Sequence, residues 1–166
     1  MSVRTPVRIA VAFLALTACH QRREPPDLMD EVIVERIIHG NVAIVGSAND
    51  QHEMLQTGNG PIRLYPSRTD SIALLRVEGL EVAVRGIEES GGLRIERFTV
   101  TAIDGKPVLD GIVRIDGTGC YLEVPKKKRL AIANAPDVFR VLNGARIWLS
   151  GPLESGPYQY GVIVPK

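Results

Sequence analysis

A repeated segment bounded by glycines is the feature that most constrains the fold of this chain. Residues 79–86 (GLEVAVRG) and 144–151 (GARIWLSG) each place six residues between two glycines and alternate apolar with polar side chains. Such alternation is typical of a β-strand with one buried face. A short stretch with a helical pattern precedes each segment, at residues 70–77 and 136–142. We therefore expect the same structural unit to occur twice.

Each copy also begins with a strand that contains a glycine. Residues 37–46 (IIHGNVAIVG) resemble residues 108–117 (VLDGIVRIDG), and a glycine inside a strand often marks a bulge or a bend. Turn signals divide the rest of each copy into further short strands. The first copy is predicted to contain elements at residues 35–45, 53–57, 62–65, 70–77, 80–87 and 93–102, and the second at residues 108–115, 120–124, 129–132, 136–142, 145–149 and 158–164.

Five strands with a helix between the third and fourth form an order of elements that resembles the OB-fold. The resemblance implies a mainly β protein made of two tandem OB-like barrels, one at residues 31–104 and the other at residues 105–166. Closing each sheet would remove its exposed edges. The joint is so short that the two barrels should pack against each other, and one continuous β-sandwich is the alternative.

The start of the chain has the features of a secretory signal peptide. Arg4 and Arg8 precede an unbroken apolar run at residues 9–16, and two small residues follow it. A spanning helix needs about 20 apolar residues, so this run is too short to be a permanent membrane segment.

The segment Leu16-Thr17-Ala18-Cys19 resembles the lipobox of bacterial lipoproteins. In that family the signal peptide, here residues 1–18, is removed and the cysteine is acylated. The resemblance therefore implies a cell-envelope protein held in a membrane by lipid on Cys19. The family's common inner-membrane retention signal is an aspartate in the next position, so His20 favours the outer membrane, facing the periplasm.

Cleavage before Cys19 would leave 148 residues (166 − 18) and change the formal charge from +1 to −1, because two arginines are lost. A near-neutral chain argues against nucleic acid as a partner. Residues 19–30 are polar and contain two adjacent prolines, so they are predicted to be a flexible tether. Lipidation would also leave Cys120 without a disulfide partner, and a small buried residue is the better interpretation of it than a reactive thiol.

Comparison of the two copies points to aromatic residues in the second one as candidate contacts. Trp148, the only tryptophan, stands on the predicted outer face where the first copy has Ala83. An exposed tryptophan suits recognition, whereas a covered one would seal the junction between barrels, and both interpretations stay open. Five of the seven aromatic residues after Cys19 lie in the second copy, which makes it the better candidate for ligand contact, and Tyr121 is the second candidate residue among them.

A basic turn at residues 125–129 (PKKKR) is the second candidate site. Its cations could hold phosphate, an acidic glycan or a lipid headgroup, although such a run is usually a solvated turn. The candidate residues are Lys126, Lys127, Lys128 and Arg129.

The search for catalytic chemistry gives no nucleophile–base pair, metal motif or phosphate-binding loop. We therefore expect no enzyme, cofactor or metal site, and a lipoprotein that binds an envelope protein or acts as an envelope scaffold. An inhibitor or immunity protein against an envelope-active toxin is a narrower form of this hypothesis. The alternative is a binder of envelope glycan or anionic lipid that uses the basic turn and Trp148.

Overall fold

The computed structural model describes residues 35–47 and 50–166, so the signal peptide, Cys19 and the tether lie outside the described residues. The described chain is mainly β. Its first half contains β1 (Glu35–Ser47), β2 (Asp50–Thr57), β3 (Gly60–Tyr65), α1 (Arg68–Leu75), β4 (Glu81–Glu89), β5 (Gly92–Ile103) and β6 (Lys106–Pro107). Its second half contains β7 (Leu109–Asp116), β8 (Gly119–Val124), a 3₁₀ turn (Pro125–Lys127), β9 (Lys128–Ala131), α2 (Val138–Val141), β10 (Arg146–Ser150) and β11 (Gln159–Val164).

Strands β1 to β5 close into a five-stranded barrel, called the first barrel below. The order is β3-β2-β1-β4-β5, and a parallel pairing of β3 with β5 joins the two ends. In that pairing Arg63 lies opposite Gly92 and Tyr65 lies opposite Arg94. The predicted elements of the first copy are thus present, and they form a closed structure.

Strand β1 is bent, as its glycine predicted. It pairs with β4 from Glu35 to Asn41 and with β2 from Asn41 to Ser47, so it changes partner halfway along. Gly40 lies at this change, where a Cβ would overlap the carbonyl oxygen of Gln56. Only glycine lets the two backbones come this close.

Strands β7 to β11 form a separate sheet, called the second sheet below, in the order β11-β10-β7-β8-β9. Its bonds repeat those of the first barrel. The Val113 N–H donates to Ala145 O at 3.0 Å and the Gly144 N–H donates to Val113 O at 2.8 Å. The corresponding bonds from Val42 to Leu80 and from Gly79 to Val42 have the same lengths. The internal repeat is therefore structural.

The predicted second closed barrel is not observed. Among the described strands β9 has no ladder to β11, and a backbone hydrogen bond from Ala133 N–H to Leu153 O, 2.9 Å long, joins the end of β9 to the connection before β11. The carbonyl oxygen of Arg94 approaches Gly86, and that of Pro157 approaches Gly151. Arg94 and Pro157 therefore occupy equivalent positions in the two copies. The second connection is two residues shorter (157 − 151 = 6 against 94 − 86 = 8).

Each sheet surrounds its own core, and the predicted alternation along β4 and β10 is confirmed. Val82 and Val84 are buried in the first core, as Ile147 and Leu149 are in the second. The last strand, β11, contributes side chains to both cores, because Val162 packs against the second core and Ile163 is fully buried in the first.

No helix within the described residues combines the length and the hydropathy that crossing a membrane requires.

Candidate functional site

Asp110 and Arg146 connect the second sheet to the first barrel. Arg146 donates from Nε and Nη2 to the two oxygens of the Asp110 carboxylate, at 2.8 and 2.7 Å, and Nη2 also donates to Phe98 O at 2.6 Å. Asp110 Oδ2 accepts the Val100 N–H at 2.8 Å. The guanidinium carbon lies 4.6 Å from the centroid of the Phe98 ring. The Asp110 carboxylate is thus satisfied by both halves of the chain.

A groove of about 460 Å³ lies beside this ion pair, at the junction of the two halves. One wall is part of β5 and the other is formed by β7, β8 and the turn after β8. The wall residues with apolar side chains are Phe98, Ile112, Val124 and Pro125. We call this feature the junction groove.

The charges around the junction groove are mostly positive. Arg114 is matched by Glu123, with Nε 2.8 Å from Oε2, and Arg146 is matched by Asp110. Arg97 and Lys126 have no ion pair within residues 35–47 and 50–166. These two side chains therefore give the groove an excess of positive charge that a bound anion could neutralise.

The predicted basic turn is divided between two places. Lys126 lines the junction groove and has a positive φ of 68°. Lys128 and Arg129 are exposed on β9, and Arg129 lies 3.6 Å from Asp116. Hydrogen bonds from Thr118 are the main reason that the pKa of Asp116 is lowered. The structure does not describe the Lys127 side chain, so the four cations are not shown to act as one cluster.

Trp148 is half-buried and packs against the first core from the second sheet. Gly161 lies directly beneath the indole, so that a Cβ there would overlap Nε1. This position favours the sealing role over recognition. Tyr121 is likewise half-buried, and its hydroxyl bonds to that of Thr118.

A second cleft, of about 590 Å³, lies where the second sheet fails to close. Leu130, Ile132 and Leu153 give it apolar walls, and Tyr121 and Arg129 also line it. The single O–H of Tyr158 is shared between Leu153 O, at 2.9 Å, and Ala133 O, which holds the connection after β10 against the end of β9. Burial raises the pKa of Tyr158, and Glu154 and Cys120 raise it further.

Cys120 borders the same cleft and packs against the second core. Burial raises the pKa of its thiol, with a smaller opposite contribution from a backbone hydrogen bond. The thiol is therefore held in its less reactive form. Within the described residues, no three His, Cys, Asp or Glu side chains are grouped as a metal site would require.

Sequence reasoning missed Asp110, Arg146 and Arg97. Asp104, Asp110 and Asp116 each precede a glycine in the sequence, and Asp104 and Asp116 stand at turns, but Asp110 is buried within β7. The signal that could have identified Arg146 is the repeat, which places this cation where the first copy has Glu81.

Comparisons with protein-family models, with curated proteins and with solved structures gave no match for this chain.

Proposed function

We propose that the protein is a lipid-anchored lipoprotein of the bacterial cell envelope, in the outer membrane and facing the periplasm, whose folded part binds an envelope protein. The junction groove carries the proposal. Its apolar wall together with Arg97 and Lys126 fits an acidic, partly apolar segment of a partner. We propose no catalytic step.

The anchor and the fold agree with this role. The lipobox resemblance of Leu16–Cys19 supports attachment to a membrane. The polar residues 19–30 would let the folded part stand away from the membrane surface. The strand order of the first barrel, with α1 between β3 and β4, supports an OB-like origin for both copies. In this proposal the second copy is an OB-like unit that has lost its closure.

The groove is tested by purifying the full chain from gently solubilised membranes and identifying what accompanies it. We expect a defined protein to accompany the wild type and to be lost from the double variant Arg97→Glu, Lys126→Glu. Lys106→Glu is the matched control, because Lys106 is exposed on β6 outside the groove. The same partner recovered from the double variant would overturn the proposal.

The anchor is tested separately. Cys19→Ser should release the chain from the membrane fraction, and mass spectrometry of the wild type should find acylated Cys19 as the first residue. A wild-type protein recovered in soluble form with unmodified Cys19 would contradict the anchoring.

A second candidate function is binding of envelope glycan or anionic lipid. The observation that favours it is the exposure of Lys126 in the turn after β8 and of Lys128 and Arg129 at the start of β9. If purified cell-wall glycan or anionic vesicles bind the wild type and not a variant with these three cations reversed, this function replaces the first. Binding that survives the reversal counts against it.

A further inference from the structure

The edge of β9 that faces away from β8 has no neighbouring strand among the described residues, whereas the equivalent edge of β3 in the first barrel pairs with β5. Ile132 N–H donates to Cys120 O at 2.9 Å, so Ile132 and Leu130 direct their backbone groups toward β8. Backbone groups of successive strand residues point to opposite sides. Those of Arg129, Ala131 and Ala133 therefore point away from β8, and the bond from Ala133 N–H to Leu153 O agrees with this.

The first barrel shows how such an edge is satisfied when it is closed. The positions that match Arg129 and Ala131 are Pro61 and Arg63, because Gln56 lies opposite Pro61 as Glu123 lies opposite Arg129. Pro61 has no N–H, and Arg63 pairs with Gly92 of β5. Proline and a paired neighbour are two usual ways of protecting an edge.

The second sheet has neither protection. Among the described residues, the N–H groups of Arg129 and Ala131 have no backbone partner across the edge. The cleft of about 590 Å³ lies beside them, with Leu130 and Leu153 in its walls. Unpaired backbone groups next to an apolar cleft form the surface that an extended peptide binds in strand addition.

We propose that the edge of β9 at Arg129 and Ala131 binds an extended segment of a protein partner as an added strand. The segment runs parallel to β9, as β5 runs parallel to β3, and it supplies the pairing that the outer edge of β9 lacks among the described strands. Its apolar side chains fill the cleft between Leu130 and Leu153.

Charge selects an acidic segment. Lys128 and Arg129 stand exposed along β9; Arg129 is matched by Asp116 at 3.6 Å, which leaves Lys128 as the cation without an ion pair on this strand of the described chain, whereas Glu154 lines the cleft. The proposal rests on the proposed function only in that the ligand is a protein, since the edge is a different surface from the junction groove.

The test uses the full chain in detergent and a short synthetic peptide of alternating valine and glutamate with blocked ends. We expect binding, and slower hydrogen exchange at the amides of Arg129 and Ala131. A peptide with the same length and alternating valine and lysine should bind at least about tenfold more weakly, because like charges oppose it.

Two further probes remove backbone pairing from each side. Ala131→Pro deletes the outward N–H without touching the ladder to β8, and it should weaken binding about three- to tenfold, whereas Ala131→Val should bind normally. Peptide methylated at alternate backbone nitrogens should also bind the wild type more weakly, which needs no variant to fold. Equal binding of the methylated peptide, or unchanged exchange at Arg129 and Ala131, would overturn the proposal.

The two sites can be told apart. The Arg97→Glu, Lys126→Glu double variant should bind the peptide at the edge as the wild type does. Ala131→Pro should still recover the protein partner of the junction groove. The two proposals are independent if the groove's partner is lost only from the Arg97→Glu, Lys126→Glu double variant and peptide binding is weakened only in Ala131→Pro.

Discussion

The Asp110 carboxylate accepts two hydrogen bonds from the Arg146 guanidinium, one on each oxygen, at 2.7 and 2.8 Å. This pair lies at the junction of the two halves of the chain. The Asp110 side chain is 4 % exposed and that of Arg146 is 25 % exposed. A buried ion pair does not by itself guarantee stability, but removal of one partner leaves an uncompensated charge. This pair therefore makes the junction sensitive to single substitutions.

Asp110→Ala should lower the free energy of unfolding by about 3 kcal/mol, because the guanidinium and the Val100 N–H both lose their acceptor. Urea unfolding of this variant, of Arg146→Met and of the double variant forms a double-mutant cycle. The cycle should show coupling of about 1–3 kcal/mol. Arg36→Ala, which removes an exposed pair with Glu88, should cost less than about 1 kcal/mol. Simple additivity at Asp110 and Arg146 would show that the pair is not coupled.

Gly161→Ala should destabilise the protein by about 1–3 kcal/mol, because the new methyl group overlaps the indole of Trp148. The single tryptophan reports the displacement directly through its fluorescence, and thermal unfolding gives the loss of stability. Gly58→Ala is the matched control, since no atom lies within 4 Å of the position that its new Cβ would take. An unchanged emission spectrum in Gly161→Ala would show that the indole does not lie over this glycine.

Tyr158→Phe should cost about 1 kcal/mol, because its hydroxyl holds the connection after β10 to the end of β9. Amide exchange at Ala133 should accelerate at the same time. Leu153→Ala is a useful comparison, since it removes apolar contact and keeps both hydrogen bonds. Exchange at Ala133 that is the same in Tyr158→Phe and wild type would contradict this role.

The same residue predicts a pH dependence. The folded protein raises the pKa of Tyr158 above its ordinary value of 10.0, so the neutral phenol is favoured by folding. Its contribution is fully present below pH 10.0 and is lost as the pH rises through the folded pKa. Stability should therefore fall more steeply above pH 10.0 in the wild type than in Tyr158→Phe. Parallel curves for the two proteins would contradict the linkage.

Cys120 should react slowly with iodoacetamide in the folded protein and rapidly once the chain is unfolded in urea. Burial raises the pKa of the thiol above its ordinary value of 9.0, which lowers the fraction of reactive thiolate at neutral pH. Mass spectrometry of the peptide that contains Cys120 measures both rates. Equal rates in the two states would mean that the thiol is open to solvent.

Local pattern was enough to predict the strands, because burial on one face imposes alternation. Val82 and Val84 in one copy and Ile147 and Leu149 in the other are buried as their spacing indicated. The bend at Gly40 was also predictable, since a glycine inside an apolar strand has few other reasons to be there.

Closure and the junction were not predictable in the same way. Loss of the second closure goes with a connection shortened by two residues, and this shortening matters only once the opposite strand is in place. Asp110, Arg146 and Phe98 are separated by up to 48 positions and meet through the packing of two sheets. Contacts of that range leave no periodic signal in the sequence.

The burial of Ile163 in the first core has a consequence for how the protein is made. Val42 and Ile163 belong to the same core although 121 positions separate them (163 − 42). While the ribosome is still adding the second half, the earlier half lacks one of its own interior side chains. The first core is therefore complete only after residue 163 has been added, so the interior of the earlier half depends on one of the last residues to be synthesised.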